Sequence, residues 1–342
     1  MNGKIYNLNE LTEYFNNKKK LNNHTILNTI IHEKDTNKNK QIINLNYNNH
    51  DKKENIYEIN HNDDNNDEMN VNKNEINENY KLTKNKDDND NITLVTAYFK
   101  MSNKYNDSLY IEWIERFLKN YQKNIVIFTS IESFYFIQEL RKDFKDRTVI
   151  ILSSIESFYV YKYYDYFVKD YNRDIEKSYH NPDLFLIWNE KLKFVEKAIK
   201  LNPFNSSYFM WCDIGMIRED NYIKYLKTFP NIEKLTEDKV YLLNVDYNFT
   251  EEDYKNPYDE KYRFIFNIIG GGVMIGLEKN MRLWINRYYK TLDYYITNNK
   301  FAGKDQTIMV STYLKYPDFI KLIKGVDDHD CNKWFYLLKY FS

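Results

Sequence analysis

ITLVTAYFKMSNKYNDSLYIEWIERFLKNYQKNIVIFT, residues 92–129, is the stretch whose reading decides the fold. Ile92–Tyr98 is a short run of branched and aromatic residues bounded by polar ones, which reads as a buried strand. Within 109–118, Ile111, Ile114, Phe117 and Leu118 recur at helical spacing. Ile125–Thr129 is a second strand. The pattern then repeats, with a helix predicted over 134–144 and a third strand at Thr148–Leu152. A βαβαβ opening implies a parallel sheet with right-handed crossovers. Further on, the sequence predicts helices over 158–171 and 184–201, then strands at Tyr208–Cys212 and 240–245. A glycine-rich loop entering a strand follows at 270–276, then helices over 283–296 and 306–314, and a last short strand at 319–323. The class is α/β: a Rossmann-like, mixed but mainly parallel sheet flanked by helices.

Toward the N-terminus the composition changes abruptly. Residues 1–91 hold 27 Asn, whereas all five Trp, all five Pro and both Cys of the 342-residue chain lie beyond them. A segment of that kind has little apolar surface to set against the entropy of ordering it. We therefore expect a low-complexity, mostly disordered leader over 1–91, with transient helices at 5–15 and 25–31. Residues 92–342 are enough for one α/β domain with a substantial core.

Net charge is -1, which argues against nucleic acid or an anionic membrane surface as partner. No window approaches the apolar length of a membrane span, and residues 1–20 lack the apolar core of a signal peptide. Cys212 and Cys331 give no disulfide framework and suit a reducing compartment. These features point to a cytoplasmic protein. The absence of a Walker loop, a G-x-S-x-G elbow and a Cys-x-x-Cys pair removes several enzyme classes.

Asp213 follows an apolar strand directly, so it stands at that strand's carboxyl end, where ligands of open α/β sheets bind. A carboxylate there can hold a hard divalent cation that bridges phosphate oxygens. It can also cap the turn before Gly215. Gly270, Gly271 and Gly272 allow close backbone approach to a ligand, or a bulge. Asp305 and Gln306 open a predicted helix, so Asp305 is a natural N-cap. Its other reading is a carboxylate that acts as a general base.

Four stretches in this order, TLVTAYF (93–99), IFTS (127–130), IWNEKLKFVEKAIKLNPF (187–204) and WCDIG (211–215), resemble the HtrL/YibB family of bacterial proteins. That family is associated with surface-polysaccharide gene clusters and looks like a GT-A glycosyltransferase. The layout is also similar to retaining galactosyltransferases and glycogenin-like enzymes. The resemblance covers most of 92–342 and none of the leader. It implies a GT-A-like fold and a glycosyltransferase that moves a sugar from a nucleotide-diphosphate donor to a glycan or other hydroxyl acceptor.

Carried over by residue, the resemblance implies that Thr96, Ala97 and Tyr98 line the nucleotide pocket. Asn189 and Lys191 would lie on the helix before Asp213, with Lys191 against the diphosphate. Gly271 and Gly272 would border the sugars, Lys333 would touch phosphate, and Asp305 and Gln306 would act with Lys191 in catalysis. Gly215 stands where an Asp-x-Asp pattern has its second acid. The implied metal site is therefore Asp213 with His329 and Asp327, holding Mn²⁺ or Mg²⁺. Rival readings are a non-catalytic sugar-nucleotide or glycan-binding relative and a nucleotidyltransferase. For single residues the plainer readings are a solvated Lys191 and core packing by Tyr98, Trp188 and Trp211.

Overall fold

The computed structural model describes residues 43–45, 91–101, 107–266 and 268–342. The expected leader and its two apolar patches therefore lie outside the described residues, except for β1 (Ile43–Leu45) and Asn91. The strands that follow are β2 (Ile92–Tyr98), β3 (Ile125–Thr129), β4 (Thr148–Leu152), β5 (Tyr208–Cys212), β6 (Val240–Asn244), β7 (Ile269–Leu277) and β8 (Ile320–Lys324). They form one sheet in the order β1-β4-β3-β2-β5-β7-β6-β8. β4, β3, β2 and β5 are parallel, and so are β6 and β8. β7 runs antiparallel to both of its neighbours, and β1 is antiparallel to β4 at the edge. All strands from β2 onward except β7 thus share one direction, and their carboxyl ends lie along one edge. This is the mixed, mainly parallel sheet that the sequence predicts.

Helices cover both faces. They are α1 (Asp107–Asn120), α2 (Ile131–Leu140), α3 (Tyr164–Asn172), α4 (Pro182–Leu201), α5 (Glu251–Lys255), α6 (Glu278–Thr297), α7 (Asp305–Lys315) and α8 (Tyr336–Tyr340). The period-2 alternation of a strand sends neighbouring side chains to opposite faces. Val95 and Ala97 pack in a core with residues of α4, α6 and α7, whereas Leu94 and Tyr98 pack with residues of α1, α2 and α8. Both cysteines are buried and unpaired.

α4 is the element that builds the site. Asn181 caps it by accepting from the Leu184 N–H at 2.8 Å, and Pro182 occupies the first turn, where its missing N–H costs nothing. It ends at Asn202 in the left-handed region, at φ 38°. Between these stops it buries three consecutive polar residues, Asn189, Glu190 and Lys191.

Three local expectations change. The helix predicted over 134–144 stops at Leu140, because a 3-10 segment with a non-helical Phe144 follows. The helix predicted over 158–171 opens as a 3-10 turn at Tyr159–Tyr163. The glycine run is not a loop: β7 is a strand from Ile269, with a register shift against β6 between Leu242 and Leu243.

Candidate functional site

The loop after β5 carries Asp213 to the shared carboxyl edge. Its backbone N–H donates to the Gly272 carbonyl at 2.8 Å, which fixes it against β7. Its Oδ1 accepts from the Trp211 indole Nε1 at 2.8 Å and lies 3.1 Å from the Lys191 ammonium. Trp211 lies in β5 and Asp213 just past its end, two positions on, and the indole hydrogen bond puts the two side chains on one side. Trp211 is core, as expected, but its N–H also aims the carboxylate. That role was legible in the W-x-D spacing alone.

Lys191 is the centre of the arrangement. Its Nζ lies 2.9 Å from Asp305 Oδ2 and donates to the Gly271 carbonyl at 3.1 Å. Together with Asp213 Oδ1, three oxygens converge on one ammonium, which has three N–H donors. The Gly271 contact is a hydrogen bond and the two carboxylate contacts are ion pairs. Lys191 is not a solvated helix lysine, since its side chain is only 5% exposed and all three contacts are within the cluster. Burial opposes its charge, but Asp213 and Asp305 outweigh burial and hold its pKa above the ordinary lysine range. For Asp305 burial wins: its pKa is raised, although Lys191 pulls it down.

The glycines of β7 make room for this cluster. A Cβ on Gly271 would sit 2.7 Å from Asp305 Oδ2, and one on Gly272 would sit 2.7 Å from Met216 Cε and 3.7 Å from Asp213 Oδ2. A Cβ on Gly270 would meet Leu243 at 2.9 Å. None of the described glycines has positive φ, so space is what these positions require. The register shift also leaves Gly271 and Gly272 without partners on β6. The bulge reading of the run holds, and the glycines admit the side chains of Asp305, Met216 and Leu243.

Asp305 is the first residue of α7, and Lys304 stands at the N-cap. The N-cap expectation is thus off by one. Asp305 Oδ1 accepts from the Gln306 N–H at 2.8 Å while Oδ2 is held by Lys191. Gln306 donates to the Ile269 carbonyl at 3.0 Å. It lines a small cavity with Lys304, Arg263 and Phe266.

Other predicted residues fall elsewhere. Asn189 is wholly buried. Its amide donates to the carbonyls of Phe185, Ala302 and Gly303 and accepts from the Tyr288 hydroxyl, so it ties α4 to the loop before α7 and does not face the cleft. Thr96 is fully buried and Ala97 nearly so, inside the sheet. Tyr98 packs in the core against Tyr110, with ring centroids 6.1 Å apart. Trp188 packs on the core edge against His180, whose Nδ1 lies 2.7 Å from Asp174. Lys333 pairs with Asp246 at 2.8 Å, at the carboxyl end of β6.

The implied metal ligands do not assemble. Among the described residues, the group of three whose ligand atoms all lie within 4.8 Å is Asp328, His329 and Asp330, and Asp213 and Asp327 are outside it. Asp327 instead accepts from the Lys333 N–H at 2.7 Å. His329 is on an exposed loop, with its side chain 89% accessible. Asp213 has one oxygen committed to Trp211 and Lys191, so one carboxylate oxygen, Oδ2, remains to meet a ligand.

Sequence reading missed two neighbours of this site. Tyr110, on α1, lies against Gly215, and burial followed by the charge of Asp213 raises its pKa. Arg218 donates to the Gly215 carbonyl at 2.8 Å and stacks over Trp113 at 3.7 Å. Neither sits in a recognisable motif.

The chain is an α/β protein with a carboxylate–lysine–carboxylate cluster at the carboxyl edge of a mixed, mainly parallel sheet. The chain belongs to the family described as "Bacterial protein of unknown function (HtrL_YibB)", which matches residues 90–342. It is 29% identical over 168 residues to Protein HtrL of Escherichia coli (strain K12), a match covering 48% of this chain and 55% of that one. The chain thus matches about half the length of that relative. Among solved structures it is similar to mouse xyloside xylosyltransferase 1 in its apo form, with TM-score 0.37, 10% identity, and 68% of this chain and 84% of that one covered. It is also similar to 4-diphosphocytidyl-2C-methyl-D-erythritol synthase from Anaerococcus prevotii DSM 20548, with TM-score 0.35, 11% identity and coverages of 74% and 98%. Likeness this distant says nothing of what this chain binds. No described helix is long and apolar enough to cross a membrane.

Proposed function

We propose that residues 92–342 form a glycosyltransferase domain that takes a nucleotide-diphosphate sugar as donor and a hydroxyl, on a glycan or other molecule, as acceptor. The observation that carries this reading is the cluster of Asp213, Lys191 and Asp305 beside the glycines of β7. It is a preorganised, charged site where ligands of such sheets bind.

In this reading Asp213 is the donor-side carboxylate and presents Oδ2 to the cleft. Lys191 is a positioning residue, since it is buried and pairs with both carboxylates. The positive charge beside the diphosphate comes from Arg218, anchored on the turn that follows Asp213. Asp305 acts from behind Lys191 through its hold on the first turn of α7. Gln306 and the cavity beside it form the acceptor side. The site fits Mn²⁺ or Mg²⁺ only as an ion with Asp213 Oδ2 as its one protein anchor in the cluster, the remaining ligands being diphosphate and water. Such an ion would neutralise charge on the leaving diphosphate. A cytoplasmic location agrees with the two unpaired cysteines.

The test is calorimetry with UDP-, GDP- and dTDP-sugars, with and without Mn²⁺. One donor binds the wild type, and Asp213→Asn weakens it by at least about tenfold, as loss of a charged contact requires. Equal binding of all donors by both proteins, or binding of none, sinks the proposal.

A further inference from the structure

We propose that Lys191 is a built-in counter-ion standing where a divalent cation would otherwise bind between Asp213 and Asp305, so that the free protein does not hold metal in this cluster and any metal enters only with the donor. The inference rests on, and deepens, the reading of Asp213 as the donor-side carboxylate.

Three oxygens surround the Lys191 Nζ: Asp213 Oδ1 at 3.1 Å, Asp305 Oδ2 at 2.9 Å and the Gly271 carbonyl at 3.1 Å. Two carboxylates and a backbone carbonyl are a donor set for a hard cation. All three belong to fixed elements: the end of β5, the first turn of α7 and the bulged start of β7. Lys191 and Asp305 are buried, with side chains 5% and 6% exposed, whereas Asp213 is 42% exposed and forms the open side of the cage. The buried Asp305 carboxylate needs a cation beside it. In this chain α4 supplies it covalently, and Gly215 stands two residues after Asp213 where a second acid could have favoured a metal instead. The ammonium blocks the cage without competing for Asp213 Oδ2, which stays open for an ion arriving on a diphosphate.

The experiment uses Mn²⁺ alone, without nucleotide, and reads bound against free ion by electron paramagnetic resonance. All proteins carry Asp328→Asn, His329→Ala and Asp330→Asn, which remove the three candidate ligands of the exposed loop. The wild-type cluster is expected to hold no Mn²⁺. Lys191→Met is expected to gain affinity by at least about tenfold, in the range that neighbouring-residue changes produce at metal sites. Adding Asp305→Asn to Lys191→Met is expected to abolish that gain. Circular dichroism and a melting curve establish that each variant is folded. Mn²⁺ binding to the wild type as tight as to Lys191→Met overturns the inference, and so does a folded Lys191→Met that gains nothing. Should Lys191→Met not fold, wild type against Asp213→Asn decides: binding that Asp213→Asn abolishes overturns the inference, and absence from both supports it. No donor is present, so failure here leaves sugar transfer standing, and failure of transfer leaves this result standing.

Discussion

Trp211 shows how much of the site depends on one atom. Its indole N–H accounts for one of the two contacts on Asp213 Oδ1. Trp211→Phe keeps the ring in the core and removes that donor. A hydrogen bond to a charged group contributes about 1.5–3 kcal/mol, so donor affinity should fall by roughly ten- to a hundredfold. Calorimetry on the variant measures this, and an unchanged affinity would mean that the indole does not orient the carboxylate. Gly271 makes the complementary point about space. In Gly271→Ala the new methyl lies 2.7 Å from Asp305 Oδ2, and overpacking of this kind costs about 1–3 kcal/mol. Chemical denaturation should record that loss together with lower turnover, because Asp305 has to shift away from Lys191.

At the scale of elements, α4 joins fold and site in one helix. Its N-cap is worth about 1 kcal/mol, so Asn181→Ala should lower stability by that amount in denaturant titration while leaving donor selectivity unchanged. Asn189→Ala is the sharper case. It leaves the Ala302 and Gly303 carbonyls and the Tyr288 hydroxyl without their amide partner, while the Phe185 carbonyl keeps its helical bond; a buried group left unsatisfied costs about 1–3 kcal/mol. It should therefore act on stability before it acts on binding; the reverse order would return Asn189 to the nucleotide pocket. Here lies the limit of what could be read from residues alone. The periodicity of α4 and its stop at Asn202 are local properties, visible in sequence. That Asn189 turns toward the loop before α7, and Lys191 toward Asp213 and Asp305, depends on how α4 lies across the sheet. A one-dimensional pattern carries no such angle. The same holds for His329 and Asp327: their chemistry suits a metal, but among the described residues they form no three-ligand group with Asp213.

For the whole molecule, the sheet was legible because each strand is a short apolar run between polar or glycine-marked breaks. The reversal of β7 was not, since a buried strand reads alike in either direction. The charged cluster couples the parts of the molecule that this sheet brings together. The folded pKa of Lys191 lies above its unfolded value, so its contribution to stability is full below about pH 10.4 and is lost as pH rises through the raised value. Removing it at neutral pH should cost about 3–5 kcal/mol, as breaking a buried ion pair does. The gap between wild type and Lys191→Met, measured by urea unfolding, should then narrow above about pH 10.4. A gap that is constant with pH would place the cost in lost packing. The central claim is that Asp213 presents a nucleotide sugar for transfer. Mass spectrometry of the product formed from the bound donor and an acceptor pool tests it most directly. A mass increase of one sugar with the wild type, and none with Asp213→Asn, is the predicted result. Transfer of a nucleotide instead, or equal sugar transfer by the two proteins, would contradict it.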